Sequence, residues 1–317
     1  MTVAADRWSV KGDRKVIAWL LDADPSIRWQ VMQDLSDAPA PVVAAERARV
    51  ACEGWGALLL DRQRPDGQWG DGAAMPFWWS NMYTLVWLRD LGVDPASRRV
   101  RIAIDRVRDN VTWGPGFGDP PFFEGEVEPC INGRAVALGA YFGVRSNRLI
   151  DRLLSEQLAD GGWNCEAERG SVRSSFHTTI CVLEGLLAFE QAFGGSAQIS
   201  AARQRGEEYL LERGLLRRLS TGEMIDPSWT QFAFPPLWHY DILRALDYFR
   251  AAARDADTRM AEGLATVRKR RQDDGRWVLD VRHRNSLCDE LTGPLGAPNQ
   301  WITLRALRVL DWFRRGD

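Results

Sequence analysis

Histidine and carboxylate side chains at the starts of predicted helices are the groups in this chain best suited to proton transfer. Of the three histidines, His177 and His239 stand where helical patterns begin, whereas His283 lies in a polar run and is expected to face solvent. An imidazole enclosed by aromatic side chains can serve as a general acid or base near neutral pH. Asp241 follows His239 closely, but on a regular helix the two side chains would diverge by about 200°. The candidate catalytic residues are therefore His177, His239 and Asp241, and the last two form a pair only if the helix begins there.

A repeated Asp-Gly-x-Trp motif indicates the turns that must position these groups. The three copies fall within residues 60–72, 154–166 and 267–280. Gln63 and Gln157 stand three residues before the Asp in the first two copies, and Arg271 stands there in the third. Thr84 and Thr178 each follow the Trp of their copy by 15 residues. Asp-Gly favours a tight turn, the Trp can stack on it, and the Gln can bind unpaired backbone groups, so each motif predicts a helix hairpin.

The hydrophobic pattern predicts helices along the whole chain and no strands. The predicted helices are 13–23, 26–36, 42–63, 80–91, 97–111, 131–142, 147–158, 175–192, 198–213, 237–252, 258–271 and 299–315. The first helix of most pairs is rich in Arg and Glu, and the second is richer in small, aromatic and aliphatic residues. We therefore predict an all-α fold, a single (α/α)6 toroid domain over residues 1–317 with the second helices as an inner ring. An open solenoid of six hairpins is the alternative.

In such a ring, residues that begin the inner helices are expected to face a central cavity. They are Arg28, Trp29 and Gln30; Trp78, Trp79, Asn81 and Tyr83; Glu128, Cys130 and Asn132; Arg173 and His177; Trp238, His239, Tyr240 and Asp241; and Asn299 and Trp301. A lining of this kind suits an apolar small molecule oriented by a few polar contacts, and the Trp and Tyr faces could stabilise a cation. The alternative is that about half of these aromatic residues are core packing, the usual fate of Trp at helical spacing.

Composition excludes several classes of function. The 41 basic and 43 acidic residues nearly cancel, so the chain lacks the basic field of a nucleic-acid-binding protein. Its five cysteines are widely spaced without a Cys-x-x-Cys pair, which argues against a disulfide framework. No apolar stretch approaches the length of a membrane span, and no leader pattern is found at the N-terminus. We therefore expect a cytoplasmic protein without an obligate partner, for which contact with a membrane surface stays open.

The repeats resemble a known family. QRPDGQWG and QLADGGWN are similar to the Gln-Trp repeats of squalene-hopene cyclases and related terpene cyclases, in the α/α-toroid superfamily that also holds the β subunits of protein prenyltransferases. The resemblance implies a toroid acting on an isoprenoid substrate. The Asp-x-Asp-Asp run with which class II cyclases start a cation cascade is absent, and those cyclases have two such domains. A standard class II cyclase is therefore not expected.

A second resemblance implies a metal. SSFHTTICVLEGL at 174–186 is similar to the prenyltransferase segment in which a His followed by Thr supplies a zinc ligand. The place of that family's Asp-x-Cys ligands is taken by Glu128-Pro129-Cys130, so the resemblance implies Zn²⁺ held by Glu128, Cys130 and His177. The alternative is that Cys130 is a small buried hydrophobe and His177 a hydrogen-bonded residue at a helix start.

The sequence leaves three functions open. The first is a prenyltransferase-like or terpene-cyclase-like enzyme acting on an apolar, isoprenoid-type substrate, with zinc. The second is a carbohydrate-active α/α-barrel enzyme, a hydrolase, lyase or epimerase, using the carboxylates of Glu124, Glu128 and Asp241. The third is a non-catalytic lipid-binding protein, because the fold alone does not warrant turnover.

Overall fold

The chain is all-α, as predicted. A computed structural model describes residues 12–70, 76–125, 128–283 and 289–316, and within these ranges it contains helices and no β-strand. The α-helices are α1 (Arg14–Leu21), α2 (Pro25–Asp34), α3 (Ala40–Arg49), α4 (Gly54–Asp61), α5 (Phe77–Leu91), α6 (Arg98–Asn110), α7 (Pro129–Phe142), α8 (Asn147–Ser155), α9 (Phe176–Phe193), α10 (Ala197–Leu211), α11 (Ile242–Ala251), α12 (Ala261–Lys269), α13 (Asp289–Thr292) and α14 (Gln300–Gly316). Among these described helices, none is both long and apolar enough to cross a bilayer.

The helix predicted over 42–63 is divided into α3 and α4. The break is at Gly54, whose φ of 63° lies in the left-handed region that glycine tolerates. A Cβ at Gly54 would lie 1.9 Å from Oδ2 of Asp24, the same oxygen that accepts the N–H of Trp55 at 2.9 Å. The predicted continuous helix is wrong here because close packing against the start of α2 requires a turn.

The helix predicted over 237–252 begins later, at Ile242. Asp241 is its N-cap, with Oδ1 accepting the N–H of Arg244 at 2.8 Å. An N-cap carboxylate satisfies a backbone donor that has no partner within the helix. Trp238 and His239 therefore lie in the segment before α11, where a turn is closed by the N–H of His239 donating to Pro236 O at 2.9 Å.

The three Asp-Gly-x-Trp motifs have one geometry. Each indole is buried, and its Nε1–H donates to the carbonyl ten residues earlier; the bonds are Trp69 to Leu59 (2.8 Å), Trp163 to Leu153 (2.7 Å) and Trp277 to Val267 (2.8 Å). The glycines of the motifs have φ values of 86°, 96° and 83°. The turn thus folds the Trp back under the helix that precedes it.

The side chains that accept the Trp backbone N–H groups are not the two threonines of the repeat. The N–H of Trp163 is accepted by Thr179 Oγ1 at 3.0 Å, one residue beyond Thr178. Asn81 Oδ1 takes this role for Trp69, at 2.8 Å, while Oγ1 of Thr84 is buried without a hydrogen bond. The regular spacing of 15 residues in the sequence therefore does not identify the acceptors.

Six helices surround one cavity, which is the arrangement expected of the inner ring. Residues of α2, α5, α7, α9, α11 and α14 line a volume of about 760 Å³. The last of these helices returns to the first, where the Arg308 guanidinium contacts Asp34 and donates to Gln30 Oε1 at 2.9 Å. The first and last of these six helices are thus in contact, as in a closed ring, whereas an open solenoid would hold them apart.

The closest approach within the ring is between α7 and α9. A Cβ at Gly133 would lie 2.6 Å from the carbonyl oxygen of Cys181, and a Cβ at Gly185 would lie 2.3 Å from the carbonyl oxygen of Gly133. Distances this short leave no room for any side chain. The two helices therefore touch backbone to backbone.

Candidate functional site

The predicted site residues are divided between two ends of the ring. His177 is in the first turn of α9, whereas Gln191, near the end of the same helix, lines the 760 Å³ cavity. At about 1.5 Å per residue, the two positions lie about 20 Å apart. Between them, the segment 234–237 forms one wall of the cavity, with Phe234 stacked on Trp301 at 4.6 Å. We call the end that carries His177 the histidine face, and the cavity the arginine cavity.

At the histidine face, all three histidines come together. His239 is stacked between Trp238 at 3.8 Å and His283 at 3.7 Å. The ring of His177 meets that of His239 edge-on at 5.9 Å, and it also contacts Trp229 at 5.7 Å. The polar neighbours of His283 predict exposure, and this prediction is wrong because His283 is half-buried in the stack. No local pattern indicates the stack, since it joins segments far apart in the chain.

The three imidazoles are neutral at physiological pH. Burial lowers the pKa of His239 to about 3, with further lowering by the charges of its histidine neighbours. Burial likewise lowers the pKa of His177 and of His283 to about 4. His177 Nδ1 accepts the N–H of Tyr240 at 2.8 Å, so its proton lies on Nε2. Neither ring nitrogen of His239 has a hydrogen-bond partner within the described part of the chain.

Two thiols and a carboxylate meet beside these histidines. Cys130 Sγ lies 3.8 Å from Glu128 Oε2 and 3.1 Å from Cys165 Sγ. Donor atoms of these three residues all lie within 4.8 Å of one another, a spacing that a metal ion could bridge. Of the three residues that the resemblance implies, Glu128 and Cys130 belong to this cluster, whereas His177 does not. The third member of the cluster is Cys165. Cys165 begins a 3₁₀ turn over Cys165–Arg169, and its place in the sequence predicts nothing about metals.

The hydrogen bond between the two thiols shifts their pKa values in opposite directions. The bond to Cys165, together with burial, raises the pKa of Cys130. The hydrogen bond with Cys130 lowers the pKa of Cys165, and a second hydrogen bond, with Thr178 Oγ1, lowers it further. Cys165 is therefore the first of the pair to become a thiolate, the form in which cysteine binds metals.

Several predicted site residues have structural roles. Arg28 binds Glu46 through Nε at 2.6 Å, and Tyr240 donates its hydroxyl to Leu215 O at 2.7 Å. Asp241 caps α11, and burial raises its pKa to about 6. The corrected assignment is that these side chains stabilise helix ends and helix packing.

The other predicted residues fall into three groups. Trp78, Trp79 and Tyr83 form an aromatic row on α5, with ring separations of 5.6 Å and 4.5 Å. Asn132 is buried on α7 and Arg173 is exposed. Of the residues predicted to face a cavity, Trp29, Gln30 and Trp301 line the arginine cavity. The cavity lies towards the C-terminal ends of most inner helices, so residues that begin them are remote from it.

The arginine cavity has a lining that differs from the aromatic wall predicted. Within the described ranges, seven arginines and four acidic residues face it: Arg47, Arg89, Arg134, Arg244, Arg250, Arg305, Arg308, Asp34, Asp90, Glu184 and Asp247. Arg244, only 1% exposed, makes a bidentate pair with Glu184 at 2.7 Å for both bonds. Arg134 and Glu184 escape a hydropathy pattern because each is a single charge flanked by uncharged residues of its helix.

Comparison with known proteins finds similar structures and no similar sequences. No family model and no curated protein matches the chain. The apo type II terpene cyclase MstE from Scytonema is 15% identical, with a TM-score of 0.45 over 93% of this chain and 86% of that one. Its R337A variant in complex with geranylgeranyl dihydroxybenzoate is 16% identical, with a TM-score of 0.44 over 95% and 88%. A protein from Actinoplanes is 14% identical, with a TM-score of 0.43 over 92% and 89%.

Proposed function

We propose that this chain is a prenyltransferase-like or terpene-cyclase-like enzyme that acts on an apolar, isoprenoid-type substrate at the histidine face. The observation that carries the proposal is the convergence of three neutral imidazoles beside Trp238, from three separate segments: His239 stacks on Trp238 and on His283, and His177 meets Trp238 edge-on. Trp238 is 37% exposed, so a substrate can reach the stack.

Aromatic faces and a weak base suit carbocation chemistry. A cation over a Trp face gains about 0.5–2 kcal/mol from the ring quadrupole. A carbocation intermediate is a strong acid, so an imidazole with a pKa of about 3 is basic enough to remove its proton. His239 has a free nitrogen for that proton, whereas His177 Nδ1 is occupied by the backbone of Tyr240. His239 is therefore the proton acceptor, and His177 positions the segment that contains His239.

The proposal is tested by turnover of prenyl substrates. The purified chain is incubated with farnesyl diphosphate, geranylgeranyl diphosphate, squalene and geranylgeranyl dihydroxybenzoate, and products are identified by mass spectrometry. We expect a new product from at least one of them, and His239→Gln to lower its rate of formation at least tenfold. Cys52→Ser, at an exposed thiol outside the histidine face, is expected to leave the rate unchanged.

Three results would contradict this proposal. They are full activity of His239→Gln, tight binding of an isoprenoid that emerges unaltered, and turnover of an oligosaccharide instead. The second result would favour the lipid-binding alternative. The third would favour the carbohydrate alternative, for which Asp241 offers little because it is buried as a helix cap.

We further propose that Glu128, Cys130 and Cys165 hold a zinc ion. Their donor set fits zinc, which accepts thiolate and carboxylate ligands and keeps a position open in catalytic sites. A zinc ion there would supply a Lewis acid, and the protein would hold it through side chains at the start of α7 and in the turn before α9.

Metal analysis tests the ligand set. We expect about one zinc per chain in the wild type, and loss of most of it in Cys130→Ser and in Cys165→Ser, because two ligands bind far more weakly than three. Cys52→Ser and His177→Gln are expected to retain zinc. Absence of zinc from the wild type after zinc-supplemented expression, or its retention in both cysteine variants, would show that this cluster is no zinc site.

A further inference from the structure

The arginine cavity carries an excess of positive charge. Of the charged residues that line it in the described ranges, seven are arginines and four are acidic. The acidic side chains are engaged: Asp90 with Arg89 at 2.7 Å, Glu184 with Arg244 at 2.7 Å, and Asp247 with both Arg250 and Arg305. Asp34 contacts Arg308. The arginines thus exceed the carboxylates by three charges, and five of the seven arginines contact one of these carboxylates.

Two of these unbalanced charges belong to Arg47 and Arg134. Among the described residues, Arg47 donates only to neutral oxygens, through Nε to Gly92 O at 3.0 Å and through Nη2 to the Tyr141 hydroxyl at 3.2 Å. Its guanidinium also lies 5.0 Å from the ring centre of Trp29. These contacts orient the Arg47 guanidinium at the cavity without neutralising its positive charge.

Arg134 shows most directly that a partner from outside the chain is needed. The residue is 3% exposed, and its Nε and Nη2 are buried without a hydrogen-bond partner among the residues that the structure describes. Its guanidinium carbon lies 5.7 Å from the ring centre of Tyr83. Its charge also lowers the pKa of Glu184, but that carboxylate is already paired with Arg244. Buried guanidinium groups are normally paired, because leaving such donors unpaired is costly. An anion in the cavity would supply the missing acceptors.

The size and the remaining lining indicate an organic anion. A volume of about 760 Å³ is within the range of small-molecule sites and much larger than a bare phosphate or carboxylate group needs. Leu187, Ala188, Phe234 and Trp301 add apolar surface to the same cavity. We propose that the arginine cavity binds a small organic anion whose phosphate or carboxylate head pairs with Arg134 and Arg47 and whose body packs on this apolar surface. The site adjoins the histidine face, because Arg244 lines the cavity and donates to His239 O at 2.7 Å. Probe binding is measured without turnover, so its failure is distinct from failure of the proposed reaction.

Titration with head-group probes tests the site. Inorganic diphosphate and citrate are added separately to the full chain, while tryptophan fluorescence and the melting temperature are recorded. We expect saturable binding of at least one probe, weakened by added salt, since the attraction is electrostatic. Diphosphate binding alone would identify a phosphate head, and citrate binding alone a carboxylate head.

Variants separate this site from adventitious binding. Arg134→Met is expected to weaken probe binding at least tenfold while its own melting temperature, without probe, is unchanged or higher, because an unpaired buried charge is removed. Arg47→Gln, a half-exposed position, is expected to weaken binding as well, which keeps the test valid should Arg134→Met fold poorly. Arg108→Gln, on the outer helix α6, is the matched control and should bind as the wild type does. Failure of both probes to bind the wild type, or equal binding by both cavity variants, would overturn the proposal.

Discussion

Replacing Glu184 by leucine is expected to lower the free energy of unfolding by about 3–5 kcal/mol, because it leaves Arg244 buried without its counter-charge. Arg244 is 1% exposed, and both of its bonds to Glu184 are 2.7 Å long. It also donates to His239 O at 2.7 Å, so its displacement would disturb the histidine face. Urea unfolding followed by circular dichroism measures the effect.

The double variant Glu184→Leu with Arg244→Met is the control for this prediction. Removing both charges should restore most of the lost stability, since apolar side chains of similar volume often replace a buried pair without loss. A double variant less stable than Glu184→Leu alone would show that Arg244 stabilises the fold mainly through its other hydrogen bonds.

The same pair predicts a loss of stability in acid. Burial alone would raise the pKa of Glu184, but the charge and hydrogen bonds of Arg244 outweigh it and lower that pKa from 4.5 to about 2. A carboxyl group with a depressed pKa in the folded state stabilises it fully above about pH 4.5 and loses this effect as the pH falls towards 2. The wild type should therefore lose more stability than the double variant over that range of pH.

Replacing Trp163 by alanine is expected to lower the free energy of unfolding by about 3–5 kcal/mol, the usual cost of a large buried cavity. Trp163 is fully buried, and its Nε1–H bond to Leu153 O ties the turn to α8. Trp163→Phe should cost less, since it keeps most of the apolar contact and loses mainly this hydrogen bond, worth about 1 kcal/mol. Chemical denaturation compares the two.

Leu219→Ala, at a position 60% exposed, is the control and should change stability by less than about 0.5 kcal/mol. Equal losses for the alanine and phenylalanine variants of Trp163 would mean that the hydrogen bond, and not the packing of the indole, holds the hairpin.

The sequence predicted the fold better than the site, for physical reasons that particular residues show. The Asp-Gly-x-Trp turns are local, so their helix hairpins could be predicted from short-range pattern alone. Cys165 and His283 joined the histidine face only through contacts between distant segments, which no local pattern encodes. The sequence does contain a pattern that could have predicted the charged lining of the cavity. Arg134 is the single charge of an otherwise uncharged helix, and a lone arginine on an inner helix must find a partner.

The contact of Gly133 with Gly185 links the two ends of the molecule. Cys130 is about one turn before this crossing on α7 and Arg134 directly follows it, while Glu184 is adjacent to it on α9. A single methyl group added at the crossing would wedge the helices apart and displace the thiol cluster and the guanidinium pair together. The thiol cluster at the histidine face and the guanidinium pair at the cavity therefore both depend on the same glycine-to-glycine contact.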